Sequence, residues 1–375
     1  MQRILYVTDS LTAGGVERQL TELVTRLDRQ QFASLVVSLY GDRAGLHPHF
    51  AAPIEAAGIP LRVLDLGWGA ADKLRAVGQL TAIVRKFQPD RVHTFNYHSN
   101  LLLRLARPLF PRQTRLIGSV RGNYTAKQLT YERFSQWACA RIVTNGPQLR
   151  QQLISRANIP ARKIVYIPNG VDVEYFSRYH DSASVTPDSP DSGRYFLSVG
   201  RLSHEKLMHY LPEALGRLKS AGRLPADTRL LIIGPSDNAA MYEQLMTSIA
   251  RHGLQTVVQY LPETHDLAPY YQRCQVSILF SPAEGMPNVV LESLASGRPV
   301  VISAGANAAG IIETGKTGWV VPTGDIAQLA ETLHRLIVCP SGTLQAMAAD
   351  CQARADQFSM ARMVAACEQL YTTVL

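Results

Sequence analysis

What most constrains this chain is a rhythm that runs through it twice. Short apolar, β-branched runs alternate with segments of helical periodicity, and the alternation is interrupted once. In the first stretch strands are expected at 4–8, 34–39, 61–64, 91–95, 116–120, 141–144 and 164–167. The clearest helix between them carries Val16, Leu20, Leu23, Val24 and Leu27 along one face. At 180–193 the pattern stops in a run rich in Ser, Asp and Pro, which reads as an exposed linker. It restarts with strands expected at 195–199, 230–233, 257–261, 276–280, 299–302 and 319–321. Alternating strand and helix implies parallel sheets covered on both faces by the crossover helices. The expected fold is therefore α/β: two Rossmann-like, doubly wound domains, the first over 1–178, a linker over 179–193 and the second from 194. Two such domains facing each other leave a cleft at the carboxyl ends of both sheets, where ligands bind in folds of this kind.

Composition narrows the classes of function. Of 375 residues, 46% are hydrophobic and 18% charged, enough apolar material for two cores and too much for disorder. No apolar run approaches the ~20 residues a membrane span needs. Residues 1–7 carry one charge and a short apolar stretch, which does not read as a signal peptide. The five cysteines (Cys139, Cys274, Cys339, Cys351 and Cys367) are scattered without a Cys-x-x-Cys pair, the usage of a reducing cytoplasm rather than of a disulfide scaffold or zinc site. His47-Pro48-His49 has no third ligand nearby and reads as loop, so no metal is expected. The net charge of +8 is uneven: residues 1–178 hold 24 Lys/Arg against 12 Asp/Glu, the remainder 14 against 18. A basic first half suggests an anionic partner. Arg104, Arg107, Arg112 and Arg115 surround Leu101, Leu102, Leu103, Leu105, Leu109 and Phe110, a mixture suited to anionic lipid or to an ordinary solvated helix face. Nucleic acid is disfavoured, because these cations do not interleave with stacking aromatics.

Three segments carry chemistry. Residues 10–18 join the first strand to the first helix through Gly14 and Gly15, which let backbone approach a ligand at a helix N-terminus. The pattern is not Gly-x-Gly-x-x-Gly, so a nicotinamide cofactor is disfavoured; a tight turn without ligand is the alternative. After the first strand of the second half come Gly200, Arg201 and Lys206, two cations that either converge on a diphosphate or stand on the surface beside Glu205. Residues 281–299 read as strand end, loop, helix, Gly stop, Pro and strand. Glu284 falls in that loop and Glu292 eight residues on, within the helix, where two carboxylates beside a helix start suit a ligand rich in hydroxyls.

Gly14-Gly15-Val16-Glu17-Arg18, Ile167-Pro168-Asn169-Gly170-Val171-Asp172, Gly200-Arg201-Leu202 with Glu205-Lys206, and Glu284 with Glu292 occur in that order. Together they resemble the retaining glycosyltransferases of family 4, and the likeness covers essentially the whole chain. It implies the GT-B fold, with a second domain over 194–355 and a final segment over 356–375 whose helix returns to the first domain. It implies that Arg201, Lys206 and Glu284 form the catalytic group: the cations clamp the donor diphosphate, and Glu284, with the backbone of Gly285 and Met286, holds hydroxyls of the donor sugar. Glu292 would hold the ribose. Gly14, Gly15, Gly200 and the amides of Asn288 and Val289 would complete the phosphate site, and Leu261 and Pro262 would meet the base. No Asp-x-Asp metal motif is present, no cofactor is implied beyond the nucleotide-sugar co-substrate, and no protein general base is named.

One departure stands out. Where many relatives have a histidine after the fifth strand, this chain has Arg121, a replacement contact to donor or acceptor, or a residue merely paired within the cleft. Asn96, His98 and Asn100, which follow the fourth strand, are the acceptor-side candidates, while His93 inside that strand reads as a satisfied core histidine. The expectation is a cytoplasmic, metal-independent, retaining transferase. Its donor would be a nucleotide sugar, UDP-linked rather than GDP-linked. Its acceptor would be a glycan, lipid-linked and used in surface polysaccharide assembly, met at an anionic membrane surface. A nucleotide-sugar epimerase of the same fold and a non-catalytic sugar-nucleotide-binding subunit are the alternatives that the same residues leave open.

Overall fold

The structure, a computed structural model, describes residues 1–374 other than 123, 179–193, 237, 238, 263 and 265. The expected linker at 179–193 thus lies outside the described residues. The chain divides into two compact units, Met1–Gly170 with Met360–Leu375, and Val171–Ser359.

The first unit holds seven strands: β1 (Gln2–Thr8), β2 (Phe32–Ser38), β3 (Leu61–Val63), β4 (Arg91–Thr94), β5 (Arg115–Val120), β6 (Arg141–Thr144) and β7 (Ile164–Tyr166). They pair in parallel in the order β3-β2-β1-β4-β5-β6-β7. The second holds β8 (Arg194–Val199), β9 (Thr228–Ile233), β10 (Val258–Leu261), β11 (Val276–Leu279), β12 (Val300–Ser303) and β13 (Gly318–Val321). These are also parallel, in the order β10-β9-β8-β11-β12-β13. Every strand lies where the apolar runs place it, with ends displaced by no more than two residues.

The period of two explains why such runs must be apolar throughout. In β1, Leu5 and Val7 enter one hydrophobic cluster with Leu80, Ile83 and Leu102. Ile4 and Tyr6 enter another, with Leu20, Leu23 and Val24 of the patterned helix (Gly15–Arg26). Helices thus cover both faces of the sheet, and a polar residue on either face would be buried.

The division of the chain differs from the expected one at both crossings. Residues 171–178 belong to the second unit rather than the first, because Phe176 is buried in the second core and Gln272 Nε2 donates to its carbonyl at 2.8 Å. The final helix, Met360–Thr373, joins the first unit from Met360 onward, four residues after 356. Its Met363, Cys367, Leu370 and Tyr371 complete the cluster under β1.

A buried polar chain fastens that helix. His93 of β4 is fully buried, its Nδ1 sharing a hydrogen bond with the Tyr371 hydroxyl at 2.7 Å and its Nε2 another with Ser119 Oγ at 2.8 Å. Arg91 Nε donates to the Tyr371 carbonyl at 3.3 Å, and Glu368 Oε1 accepts from the Asp28 amide at 3.1 Å. Burial, and secondarily the Arg121 guanidinium, pull the His93 imidazole down to about 3. The folded ring therefore stays neutral where the unfolded ring, at about 6.5, takes up a proton. Stability contributed by this ring is fully present above that value and is lost as pH falls through the window from 6.5 toward 3, at up to about 1.4 kcal/mol per pH unit. Urea midpoints measured across this range should decline accordingly, and His93→Gln, which cannot titrate, should flatten the decline.

Candidate active site

Parallel pairing sets all strand carboxyl ends of a sheet on one edge, and loops diverge there where the strand order reverses. In the second unit that point lies between β8 and β11, the two strands followed by the cation segment and the glutamate segment.

The loops at this edge are stitched together by backbone. The Gly200 amide donates to the Ile233 carbonyl at 2.9 Å, the Leu202 amide to Pro235 at 2.7 Å, and the Gly234 amide to Leu261 at 3.0 Å. Gly234 has φ +150°, and a Cβ there would land on the Gly200 carbonyl, so the close approach admits only glycine. Leu202 is drawn into the core, leaving Arg201 exposed beside it. One turn on, Lys206 Nζ lies 2.5 Å from Glu284 Oε1, with both side chains largely but not wholly covered. Ser281 secures the opposing loop: its hydroxyl donates to the Glu205 carbonyl at 3.1 Å and its amide to Ser303 Oγ at 3.0 Å.

Pro287 precedes the helix Asn288–Ala295 and offers no side-chain cap. First-turn amides of a helix have no acceptor within it and carry the positive end of its dipole. Asn288 and Val289 are half-buried, Met286 is buried, and Glu292 is only 3% exposed on the second turn. Ser277 Oγ donates to Ser293 Oγ at 2.8 Å, which pins the helix to β11. Gly200, Arg201, Lys206, Glu284, Gly285, Met286, Asn288, Val289 and Glu292 thus share one reversal point. Leu261 and Pro262 close β10, which the order β10-β9-β8 sets two strands from β8, and connect to it through Gly234.

In the first unit the order reverses between β1 and β4. Gly14 caps the helix Gly15–Arg26, and a Cβ on it would strike the Glu17 carboxylate, which folds back over its own helix start. Glu17 is buried and its Oε1 accepts from Asn96 Nδ2 at 2.9 Å. Asp9 does the same for the helix Tyr97–Ala106. Its Oδ2 accepts from the His98 amide and pairs with His98 Nδ1, both at 3.0 Å, and its Oδ1 accepts from the Ser99 amide at 2.6 Å. In the sequence Glu17 stands out only as part of the Gly14–Arg18 motif, and Asp9 belongs to none of the motifs. Asp9 stands one residue past β1, at the edge where such loops act, and that position was the available signal.

Asn100 corrects the acceptor-side expectation. It is fully buried; its Oδ1 accepts from Thr94 Oγ1 at 2.5 Å and its Nδ2 donates to the Ser119 carbonyl at 2.6 Å, so it ties β4 to β5. Arg121 is likewise engaged internally: its guanidinium lies over the Phe95 ring at 5.2 Å and donates to Asn169 Oδ1 at 2.9 Å. The Pro-Asn-Gly motif has a structural role here, since Gln19 exchanges two 2.8 Å hydrogen bonds with the Gly170 backbone.

The basic–apolar surface also changes membership. Arg104 is 2% exposed and paired with Glu132 at 2.8 Å, and Leu102, Leu103 and Phe110 are core. What remains outside of that set includes Leu105, Leu109 and Arg112; in the later segment Phe134 is 71% and Trp137 63% exposed, and Arg133 lies over the Phe134 ring.

Sequence models match the two halves separately. One described as Glycosyltransferase Family 4 matches residues 13–175, and one described as Glycosyl transferases group 1 matches residues 193–338. A glycosyltransferase of Escherichia coli named for colanic acid biosynthesis, WcaL, is 30% identical over 48% of this chain and 43% of its own. The D-inositol 3-phosphate glycosyltransferase of Streptosporangium roseum is 28% identical over 66% of this chain and 58% of its own. The matches span about half the length of these curated relatives. Among solved structures, a glycosyltransferase from Rickettsia africae superposes with TM-score 0.84 at 21% identity, covering 100% of this chain and 98% of that one. Anabaena HepE in complex with UDP superposes with TM-score 0.81 at 18% identity, covering 100% of both. At such identities the likeness shows the fold, which is GT-B.

The stitching at Gly234 is testable. Gly234→Ala should destabilise the second unit by about 1–3 kcal/mol through backbone strain, read as a lower urea midpoint; an unchanged midpoint would refute the close approach.

Proposed function

The chain belongs to glycosyltransferase family 4, and on that premise we propose that it moves a sugar from a UDP-sugar to the hydroxyl of a lipid-linked glycan, with retention at the anomeric carbon, in surface polysaccharide assembly. The observation that carries this reading is the Lys206–Glu284 pair at the reversal point of the second sheet, beside the start of the helix Asn288–Ala295. UDP in the complex of Anabaena HepE supports the choice of base, and the name of the WcaL relative supports the setting.

The chemistry follows from charge. As the glycosidic bond breaks, positive charge develops at the anomeric carbon and negative charge on the departing diphosphate. Arg201 serves as a fork and Lys206 as a point charge for those oxygens, and the helix start adds amide donors aimed at the same anion. These fixed cations do the work a divalent metal would do, so the reaction proceeds without one. Glu284 accepts from the donor sugar's hydroxyls and Glu292 from the ribose, which orients the anomeric carbon without placing a nucleophile behind it. The leaving phosphate oxygen takes the proton of the incoming hydroxyl on the same face, and configuration is retained.

No helix among the described residues is long and apolar enough to cross a membrane. The enzyme meets a lipid-linked acceptor peripherally, on the cytoplasmic face. Leu105, Leu109, Phe134 and Trp137 enter the headgroup region there, and Arg112 and Arg133 face anionic lipid.

Two measurements test these statements. Arg201→Ala and Lys206→Ala should each lower turnover about 10²–10³-fold in a transfer assay with UDP-sugar; unaltered turnover in both would remove the diphosphate clamp. Sedimentation with vesicles of anionic phospholipid at low salt should recover the protein, and neutral vesicles should not. Phe134→Ser with Trp137→Ser should abolish the recovery, and equal recovery from both vesicle types would refute the docking surface.

A further inference from the structure

The carboxyl edge of the first sheet carries an aromatic group that no core requires. Trp68, between Gly67 and Gly69 in the segment after β3, is 52% exposed, although its ring stacks on Tyr40 with centroids 4.3 Å apart and planes at 25°. Tyr40, just past β2, is itself buried. The His98 ring stands edge-on to both, 5.6 Å from Trp68 and 5.8 Å from Tyr40. Segments following β1, β2, β3 and β4 thus meet at one place, through Asp9, Tyr40, Trp68 and His98.

The polar geometry around the stack is over-determined. Asn96 holds φ +73° and ψ 173°, a conformation that a residue with a side chain adopts only under constraint. Its amide is held by Glu17 at 2.9 Å, and Thr8 Oγ1 lies 3.5 Å from its Oδ1. That turn delivers His98 to Asp9. Since a carboxylate only accepts, Nδ1 of His98 is the donor toward Asp9 Oδ2 at 3.0 Å, and Nε2 is the ring's other polar atom. Among the described residues Nε2 has no partner, and the side chain is 36% exposed.

The charge at this place is also settled. The start of the helix Tyr97–Ala106 would ordinarily attract an anion, but the Asp9 carboxylate already occupies it, and the Glu17 carboxylate covers the neighbouring helix start. A second anion would meet repulsion from both, and the Arg43 guanidinium near Gly67 is already paired with Asp72 at 3.5 Å.

We propose that Trp68, backed by Tyr40 and flanked by His98, is the platform for the acceptor, and that the acceptor's reacting end is an uncharged pyranose rather than a phosphorylated polyol. One face of a pyranose is a patch of C–H bonds that lies flat on an indole, while the ring's rim presents hydroxyls; His98 Nε2 forms a hydrogen bond with one of these, since a hydroxyl both donates and accepts. The inference rests on the transferase reading above and deepens it by naming the chemical class that the first unit takes.

The test uses the full chain. Saturation-transfer NMR would be recorded with the methyl α-pyranosides of glucose, galactose, mannose and N-acetylglucosamine, and with myo-inositol 1-phosphate as the charged probe. UDP affinity would be measured alongside by calorimetry. At least one methyl pyranoside should receive saturation on its ring protons. Trp68→Ala should weaken that binding about tenfold, Trp68→Phe should preserve most of it, and UDP affinity should stay the same in both variants. Trp68 covers the buried Tyr40, so the urea midpoint of each variant is measured as well: an unchanged midpoint shows that the first unit stays folded, and Trp68→Phe keeps a ring over Tyr40. Equal pyranoside binding by Trp68→Ala, no pyranoside binding by the wild type, or preference for the inositol phosphate would overturn the platform while leaving the transferase reading in place. Failure of the wild type to bind UDP would overturn the UDP-sugar reading, which the pyranoside measurement does not touch, so the two failures are distinguishable.

Discussion

Everything at the two candidate sites depends on parallel strand pairing. A parallel ladder forces each connection to return over a face of the sheet, so every loop leading out of a strand's carboxyl end lies on one edge. Where the winding direction reverses, two of those loops part and leave backbone and side chains exposed between them. Lys206 follows β8 and Glu284 follows β11, 78 residues apart in sequence, and they meet because β8 and β11 are neighbours across that reversal. Asp9 and His98 meet for the same reason across the reversal between β1 and β4, 89 residues apart.

The two reversal points differ in how they treat their helix starts, and the difference follows from which residue lies one turn away. In the first unit, Asp9 and Glu17 supply carboxylates to the helices Tyr97–Ala106 and Gly15–Arg26. Those N-termini are satisfied by the chain's own anions, and the edge is left with hydrogen-bonding and aromatic groups. In the second unit, Pro287 supplies no side-chain cap to the helix Asn288–Ala295, and a lysine and an arginine stand nearby in the adjoining loop. The overall excess of positive charge on the first half of the sequence is therefore a poor guide to its candidate site. Arg104 is consumed in a buried pair with Glu132, and Arg121 lies against Phe95 and Asn169.

The fold was largely legible from the sequence because a strand buried on both faces must be apolar at successive positions. The central strand β1, with Ile4 to Val7 all fully buried, meets that condition in full, whereas the edge strand β3 is largely exposed and is marked only by Leu61 and Val63 on either side of Arg62. The point of division was harder to read. A short helix at Val173–Ser177 has no composition that assigns it to one core rather than another, and only the packing of Phe176 does so. The second unit's site was legible as a set of residues, since its glycines and charges are local in sequence. Asn100 was misjudged because an asparagine that follows a strand looks the same whether it bonds a ligand or, as here, Thr94 and Ser119. Asp9 and Trp68 are not legible in the sequence, because their significance is a matter of what lies opposite, which periodicity does not encode. An isolated tryptophan between two glycines, with no apolar stripe to explain it, was nonetheless a usable sign.

The Lys206–Glu284 pair gains meaning when set against what each partner would do with a donor present. Partly covered from solvent, an unpaired ammonium or carboxylate would carry a desolvation cost, and each relieves the other. On the proposed reading a UDP-sugar gives each side chain a new partner. The diphosphate takes over as the counter-ion of Lys206, and sugar hydroxyls satisfy Glu284. Each side chain then has a partner both before and after the exchange, so the site need not hold an unpaired Lys206 or Glu284 between turnovers. A nucleotide lacking the sugar would meet only half of that exchange, because it would draw Lys206 away and leave Glu284 without donors. On that reading the same two residues would couple recognition of the diphosphate to recognition of the sugar, and the whole donor would be favoured over its diphosphate fragment.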